Sequence, residues 1–81
     1  MDARIVERRA LRALLREELA RVRAEKAAIL AKYGVSSIYD LYGLIESDRL
    51  DDTVVHDDLV RLDYLEYREK KLRDLLRRLE D

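Results

Sequence analysis

His56 is the only histidine in the chain, and cysteine is absent. A His-based catalytic triad with a cysteine nucleophile and a two-His metal site are therefore excluded within one copy, as are thiolate zinc and disulfides. Asp52, His56, Asp57 and Asp58 could form a weak divalent site, above all if a second copy duplicates it. Carboxylates at the start of a helix are better explained by compensation of its dipole, so no metal is expected. Neither a catalytic residue nor a cofactor is expected, and the chain reads as a non-enzyme.

Two other groups carry chemistry through binding. Arg4, Arg8, Arg12 and Arg16 repeat every four residues, with Arg9 beside them. Such a ladder could follow a phosphate backbone, which makes RNA or DNA an alternative partner. Glu7, Glu17 and Glu18 interleave with it and no aromatic residue lies among the arginines, so a solvated or salt-bridged helix face is the preferred reading. The second group is acidic. Nine carboxylates between Asp40 and Glu66 face only Arg49 and Arg61. Tyr39 and Tyr42 lie at the start of this stretch, and aromatic rings beside charge are what a protein-binding hot spot offers.

Tyr33-Gly34-Val35-Ser36 has the look of the turn in a helix-turn-helix DNA reader. The helix after it would bring Tyr39, Asp40, Tyr42 and Glu46 to the groove, with no cation before Arg49, and DNA repels such a surface. The chain is also similar in size and helical pattern to the all-helical chorismate mutases. Arg4, Arg21 and Lys32 could supply cations for a dicarboxylate, but Gly34 breaks the helix just past Lys32. The late helix has no Gln or Ser, so the likeness is one of architecture.

The elements that must position these residues are helices. Residues 3–33 contain no helix breaker and consist largely of Ala, Leu, Arg, Glu and Lys. Leu11, Leu15, Leu19, Val22, Ile29 and Tyr33 make one apolar row. Val6, Ala10, Ala13, Ala20, Ala24, Ala27 and Ala31, interrupted by Glu17, make a row of smaller residues expected beside it, with another helix close along it. Gly34 ends this helix, Ser36 or Ser37 caps a short one over 37–46, and Gly43 weakens it. Residues 47–53 read as a connector. A helix over 55–79 follows, with the row Val55, Leu59, Leu62, Leu65, Leu72, Leu76 and Leu79 broken at Glu69.

The expected fold is all-α: a single domain over 1–81, built as a long–short–long helical hairpin. With 81 residues and no disulfide, such a hairpin encloses a limited core. A homodimer forming a four-helix bundle or coiled coil, or a hairpin completed by another protein, is the expected remedy.

Charge divides along the chain. Residues 1–33 hold nine Lys or Arg and five acids, and residues 34–81 hold eight and thirteen, so opposed halves give the net charge of −1. Antiparallel long helices would set the basic one against the acidic one. The chain lacks Cys, Asn and Gln and is 43% charged, a composition like that of heat-adapted proteomes. No apolar run reaches membrane-spanning length and Met1-Asp2-Ala3-Arg4 does not open a signal peptide, so a cytoplasmic protein without membrane contact is expected.

The run Lys32-Tyr33-Gly34-Val35-Ser36-Ser37-Ile38, an acidic segment, and then Asp58-Leu59-Val60-Arg61-Leu62-Asp63-Tyr64-Leu65-Glu66-Tyr67 resembles a class of small prokaryotic helical proteins. Many of these look like antitoxins of toxin–antitoxin pairs, including those coupled to TumE-type toxins. The resemblance implies a protein that neutralises a cognate toxin-like partner, often an RNase, by covering its basic cleft. Asp48, Asp51, Asp52, Asp57 and Asp58 would supply the charge, and Tyr39 and Tyr42 the apolar anchors.

Overall fold

A computed structural model describes residues 2–80; Met1 and Asp81, the two ends of the expected domain, lie outside it. Among the described residues the chain is all-helical: α1 is Ala3–Lys32, α2 is Ile38–Glu46 and α3 is Asp52–Glu80. The three make a rod of 59 × 18 × 17 Å. The long helices lie antiparallel, and α2 folds over one end of the pair.

Both ends of the α1–α2 connection follow from local chemistry. Gly34 has φ +68°, and its amide bonds Ala31 while that of Val35 bonds Leu30, which closes α1 in a Schellman motif. Ser37 then caps α2 by accepting from the Asp40 amide at 3.1 Å. At the far end of α2 the same closure recurs without glycine. Asp48 takes φ 59°, and the amides of Asp48 and Arg49 bond Ile45 and Leu44.

The third helix begins earlier than expected. Asp51 accepts from the Thr53 amide at 2.9 Å through its side chain, and its carbonyl receives Val54 and Val55. That N-cap brings residues 52–54 into α3 despite the β-branched Thr53 and Val54. Thus Asp52 lies in the first turn of a helix, where its charge suits the dipole.

Two clusters form the core. Leu19 and Val22 of α1 pack with Leu65, Leu72 and Leu76 of α3, flanked by Leu15 and Ile29. Leu30, Ile38, Leu41 and Leu62 join all three helices at the α2 end. Leu41, Val55 and Leu62 are wholly buried, so the short helix seals this end more completely than a bare hairpin could.

The alanine row does not lie beside the leucine row. At about 100° per residue, Ala13, Ala20, Ala24 and Ala31 fall roughly opposite Leu15, Leu19, Val22 and Ile29. Every alanine of the row is exposed, and no described helix runs along it. Val6 and Leu14 are exposed as well, and from Asp2 to Leu11 no residue is even half-buried. The last turn of α3 meets α1 at Arg16, which donates to Glu80 at 2.7 Å. Ala3–Leu14, about 18 Å of helix, projects largely past that level.

Candidate interaction surface

Ion pairs between the long helices consume much of the chain's charge. Arg16 meets Glu80, Arg23 and Lys26 meet Glu69, Lys26 also reaches Glu66, and Lys32 meets Asp58, all within 3.1 Å. Arg61 runs the other way, clasping Glu25 through two nitrogens at 2.5 and 2.9 Å and stacking 5.1 Å from the Tyr64 ring. The basic half of the sequence therefore lies against the acidic half.

Asp58 belongs to this internal set. It accepts from the Tyr33 hydroxyl and from Lys32, and those bonds hold its carboxyl below the ordinary carboxylate value while raising the pKa of Tyr33 and Lys32. The residue is half-buried and fixes α3 against the α1 terminus, so its carboxylate is committed within the chain. Tyr42 also has an internal partner. Its hydroxyl donates to Asp63 at 3.2 Å, and burial followed by the Asp63 charge pushes its pKa up.

What remains is concentrated at the α2–α3 tip. Asp48, Asp52 and Asp57 are exposed and make no ion pair among the described residues. Asp51 is exposed too, although the Thr53 amide it caps lowers its pKa. Ile45, Asp48, Leu50, Asp51 and Asp52 line a shallow hollow of about 410 Å³, acidic at its rim and aliphatic at its floor. Nearby, Tyr39 is 79% and Val54 73% exposed, the two most solvent-facing large apolar side chains described. Tyr39 borders a second depression with Val35, Asp40, Gly43, Leu44 and Arg49.

The residues singled out by sequence thus divide. Asp48, Asp51 and Asp52 line one hollow and Asp52 and Asp57 the next, Tyr39 borders a separate depression on α2, and Asp58 and Tyr42 bond within the chain. Sequence reasoning missed Val54, which fell between the connector over 47–53 and the helix expected from Val55, and could have found it through the N-cap at Asp51. Among the described residues no three His, Asp or Glu side chains gather as a metal would require, so Asp52, His56, Asp57 and Asp58 do not converge. Asp52, His56 and Asp57 instead border an open hollow with Thr53 and Leu59.

A basic end lies opposite this acidic tip. Arg4, Arg8, Arg9 and Arg12 line a groove with Ile5, Leu79 and Glu80; Glu80 pairs with Arg16, and none of the four makes an ion pair among the described residues. Arg16, the fifth member of the ladder, is spent on Glu80. The rod is therefore polar along its length. Among the described residues no helix is long and apolar enough to cross a membrane.

No curated protein and no solved structure matches the chain. A family model matches residues 1–81, and through it the chain belongs to the uncharacterized protein MJ0235 family.

Proposed function

We infer that the chain is a non-enzymatic protein–protein interaction module that works in an antitoxin-like manner, binding a basic surface of a partner protein through its acidic–aromatic tip. The observation that carries this reading is the contrast within one molecule. Carboxylates along the α1–α3 seam are paired, while Asp48, Asp52 and Asp57 make no ion pair among the described residues, at the end of the rod that also exposes Tyr39 and Val54. Unpaired charge steers association, and an aromatic anchor among such charges supplies the contact area that charge alone lacks.

Self-association is part of the same reading. Leu11, Leu14, Val60, Tyr64 and Tyr67 leave apolar surface on both long helices, and a dimer of helical hairpins, in the manner of a four-helix bundle, would cover some of it. A cytoplasmic setting suits both activities.

Co-expression with the product of the neighbouring gene, followed by pull-down, tests partner capture. The variants to compare are Asp52→Lys and Asp57→Lys, because Asp51 caps α3 and its replacement would confound binding with folding. A stable complex that the paired substitution weakens at least tenfold is expected. A complex indifferent to charge reversal at the tip would refute this mode of binding. A second reading, RNA binding, is favoured by one observation: Arg4, Arg8, Arg9 and Arg12 make no ion pair among the described residues. A gel shift that weakens steeply with salt would support it.

A further inference from the structure

We propose that two copies pair antiparallel through the outer face of α3, with the two-fold axis between Tyr64 and Tyr67. This rests on the self-association within the proposed function and names its face, direction and register.

The first argument is the face itself. At about 100° per residue, Val60, Tyr64, Tyr67 and Lys71 fall roughly opposite Leu62, Leu65, Leu72 and Leu76, the leucines that α3 buries against α1 and α2. Val60, Tyr64 and Tyr67 are each at least half exposed. Their spacing, continued by Lys71, is that of a coiled-coil seam. Arg61 and Lys71 lie over the Tyr64 and Tyr67 rings, at 5.1 and 5.9 Å, and restrain them.

The second argument is charge along that face. Residues 52–66 hold five acids and one arginine, and residues 67–80 hold six Lys or Arg and three acids. Asp58, Glu66, Glu69 and Glu80 pair with α1, as does Arg61. Without an ion pair among the described residues are Asp52, Asp57 and Asp63 before the axis and, except for Asp74, only cations after it. Parallel pairing would set acid against acid and cation against cation. Reversing one copy sets each acidic half against a cationic half, twice, in one closed assembly. A face complementary to itself in this way points to a second copy of the chain as its occupant.

The register follows from the same positions. Tyr64 of each copy packs on Tyr67 of the other, and Val60 packs on the aliphatic stem of Lys71. Asp63 and Lys70 flank the seam on one side and meet across it. On the other side the exposed Val54 comes level with the half-buried Leu75. Asp57 and Asp74 meet as like charges, with Arg77 and Arg78 of the second copy within a turn of Asp57. Sliding the seam by seven residues either way would instead set Asp63, or Lys70, against its own counterpart.

The test uses the full chain, whose lack of cysteine makes single-site labelling clean. Light scattering should give a dimer at micromolar concentration. Spin labels at Arg68→Cys, beside the axis, should lie close together across the pair, whereas labels at Arg78→Cys should stand at least about 35 Å apart. Tyr64→Glu with Tyr67→Glu should leave a monomer whose helical circular dichroism is intact, because neither ring belongs to the core. Asp63→Lys and Lys70→Glu should each weaken the dimer about tenfold. Mixing those two variants should restore it, because both contacts across the seam are then complementary; this recovery also shows that each variant folds. A monomer at about 100 μM, close labels at Arg78, a dimer insensitive to the tyrosine substitutions, or no recovery on mixing would overturn the proposal. Asp48, Asp51, Asp52 and Asp57 are untouched in these variants, so pull-down scores partner capture separately. A monomer that still captures its partner refutes self-pairing alone, and a dimer that captures none refutes the antitoxin-like reading alone.

Discussion

Lys26 on α1 and Glu69 on α3 face each other at 3.0 Å across the seam between the long helices, with side chains only 21% and 13% exposed. Glu69 occupies the gap in the leucine row of α3, and Arg23 closes over its other oxygen. On α3 Glu69 falls between Leu65 and Leu72 of one core cluster, and on α1 Lys26 falls between Val22 of that cluster and Leu30 of the other. A half-buried ion pair adds little net stability but penalises any shift that leaves one charge unmatched. Its role here is to fix the register of the hairpin.

A double-mutant cycle separates register from stability. Glu69→Ala leaves Arg23 without its partner and Lys26 with Glu66 alone, and should cost about 1–3 kcal/mol in urea unfolding. Replacing both Lys26 and Glu69 by leucine should recover most of that loss. If Glu69→Ala is silent, the pair does not hold the helices.

Low pH should loosen the same seam. Burial opposes charge on Glu69, yet its bonds to Lys26 and Arg23 outweigh that cost and hold its pKa below the ordinary 4.5. Asp58 is likewise lowered from 3.8 by Tyr33 and Lys32. A carboxylate with a lowered folded pKa binds fewer protons folded than unfolded. Its contribution is therefore complete above the unfolded value and disappears as pH falls through the folded one. Stability should be flat above pH 4.5 and decline below it, and Glu69→Gln should reduce that decline. An unchanged acid limb in the variant would remove Glu69 from the account.

The two glycines should respond in opposite directions to alanine. Gly34 has φ +68°, where a Cβ strains the backbone although nothing stands within 4 Å of it. Gly34→Ala should cost about 1–2 kcal/mol. Gly43 lies inside α2 at an ordinary helical angle with open space around it. Gly43→Ala should therefore stabilise by about 0.5–1 kcal/mol, a few degrees in Tm. Equal effects at the two positions would contradict the closure described for α1.

Much of the fold was legible because helical periodicity and caps are local. Gly34 and Ser37 marked their boundaries, and the leucines of α3 gave its buried face. The alanine row was misplaced because residues three and four apart were grouped by size; converting position to angle puts Ala20 and Ala24 on the far side from Leu19 and Val22. The start of α3 was missed because Asp51 reads equally as connector or cap until the Thr53 amide is seen to point at it. The acidic tip was visible as composition, but which acids were free was not. Asp57 and Asp58 are neighbours in sequence, and only the antiparallel register hands Asp58 to Lys32 and Tyr33 while leaving Asp57 in solvent.

Hydrogen exchange should report that register along α1. Residues 19–30 carry Leu19, Val22 and Leu30, buried against α3, so their amides open only when the core does. Residues 3–14 have the same good helix formers and an N-cap, since Asp2 accepts from the Arg4 amide at 3.0 Å, but no buried side chain. An isolated helix of about a dozen residues is marginal in water. In dilute solution the amides of 3–14 should exchange at least tenfold faster than those of 19–30, with a break near Arg16, where Glu80 fastens α3. Protection that is uniform from Ala3 to Lys32 in dilute solution would mean that the first turns of α1 have support that the hairpin does not provide.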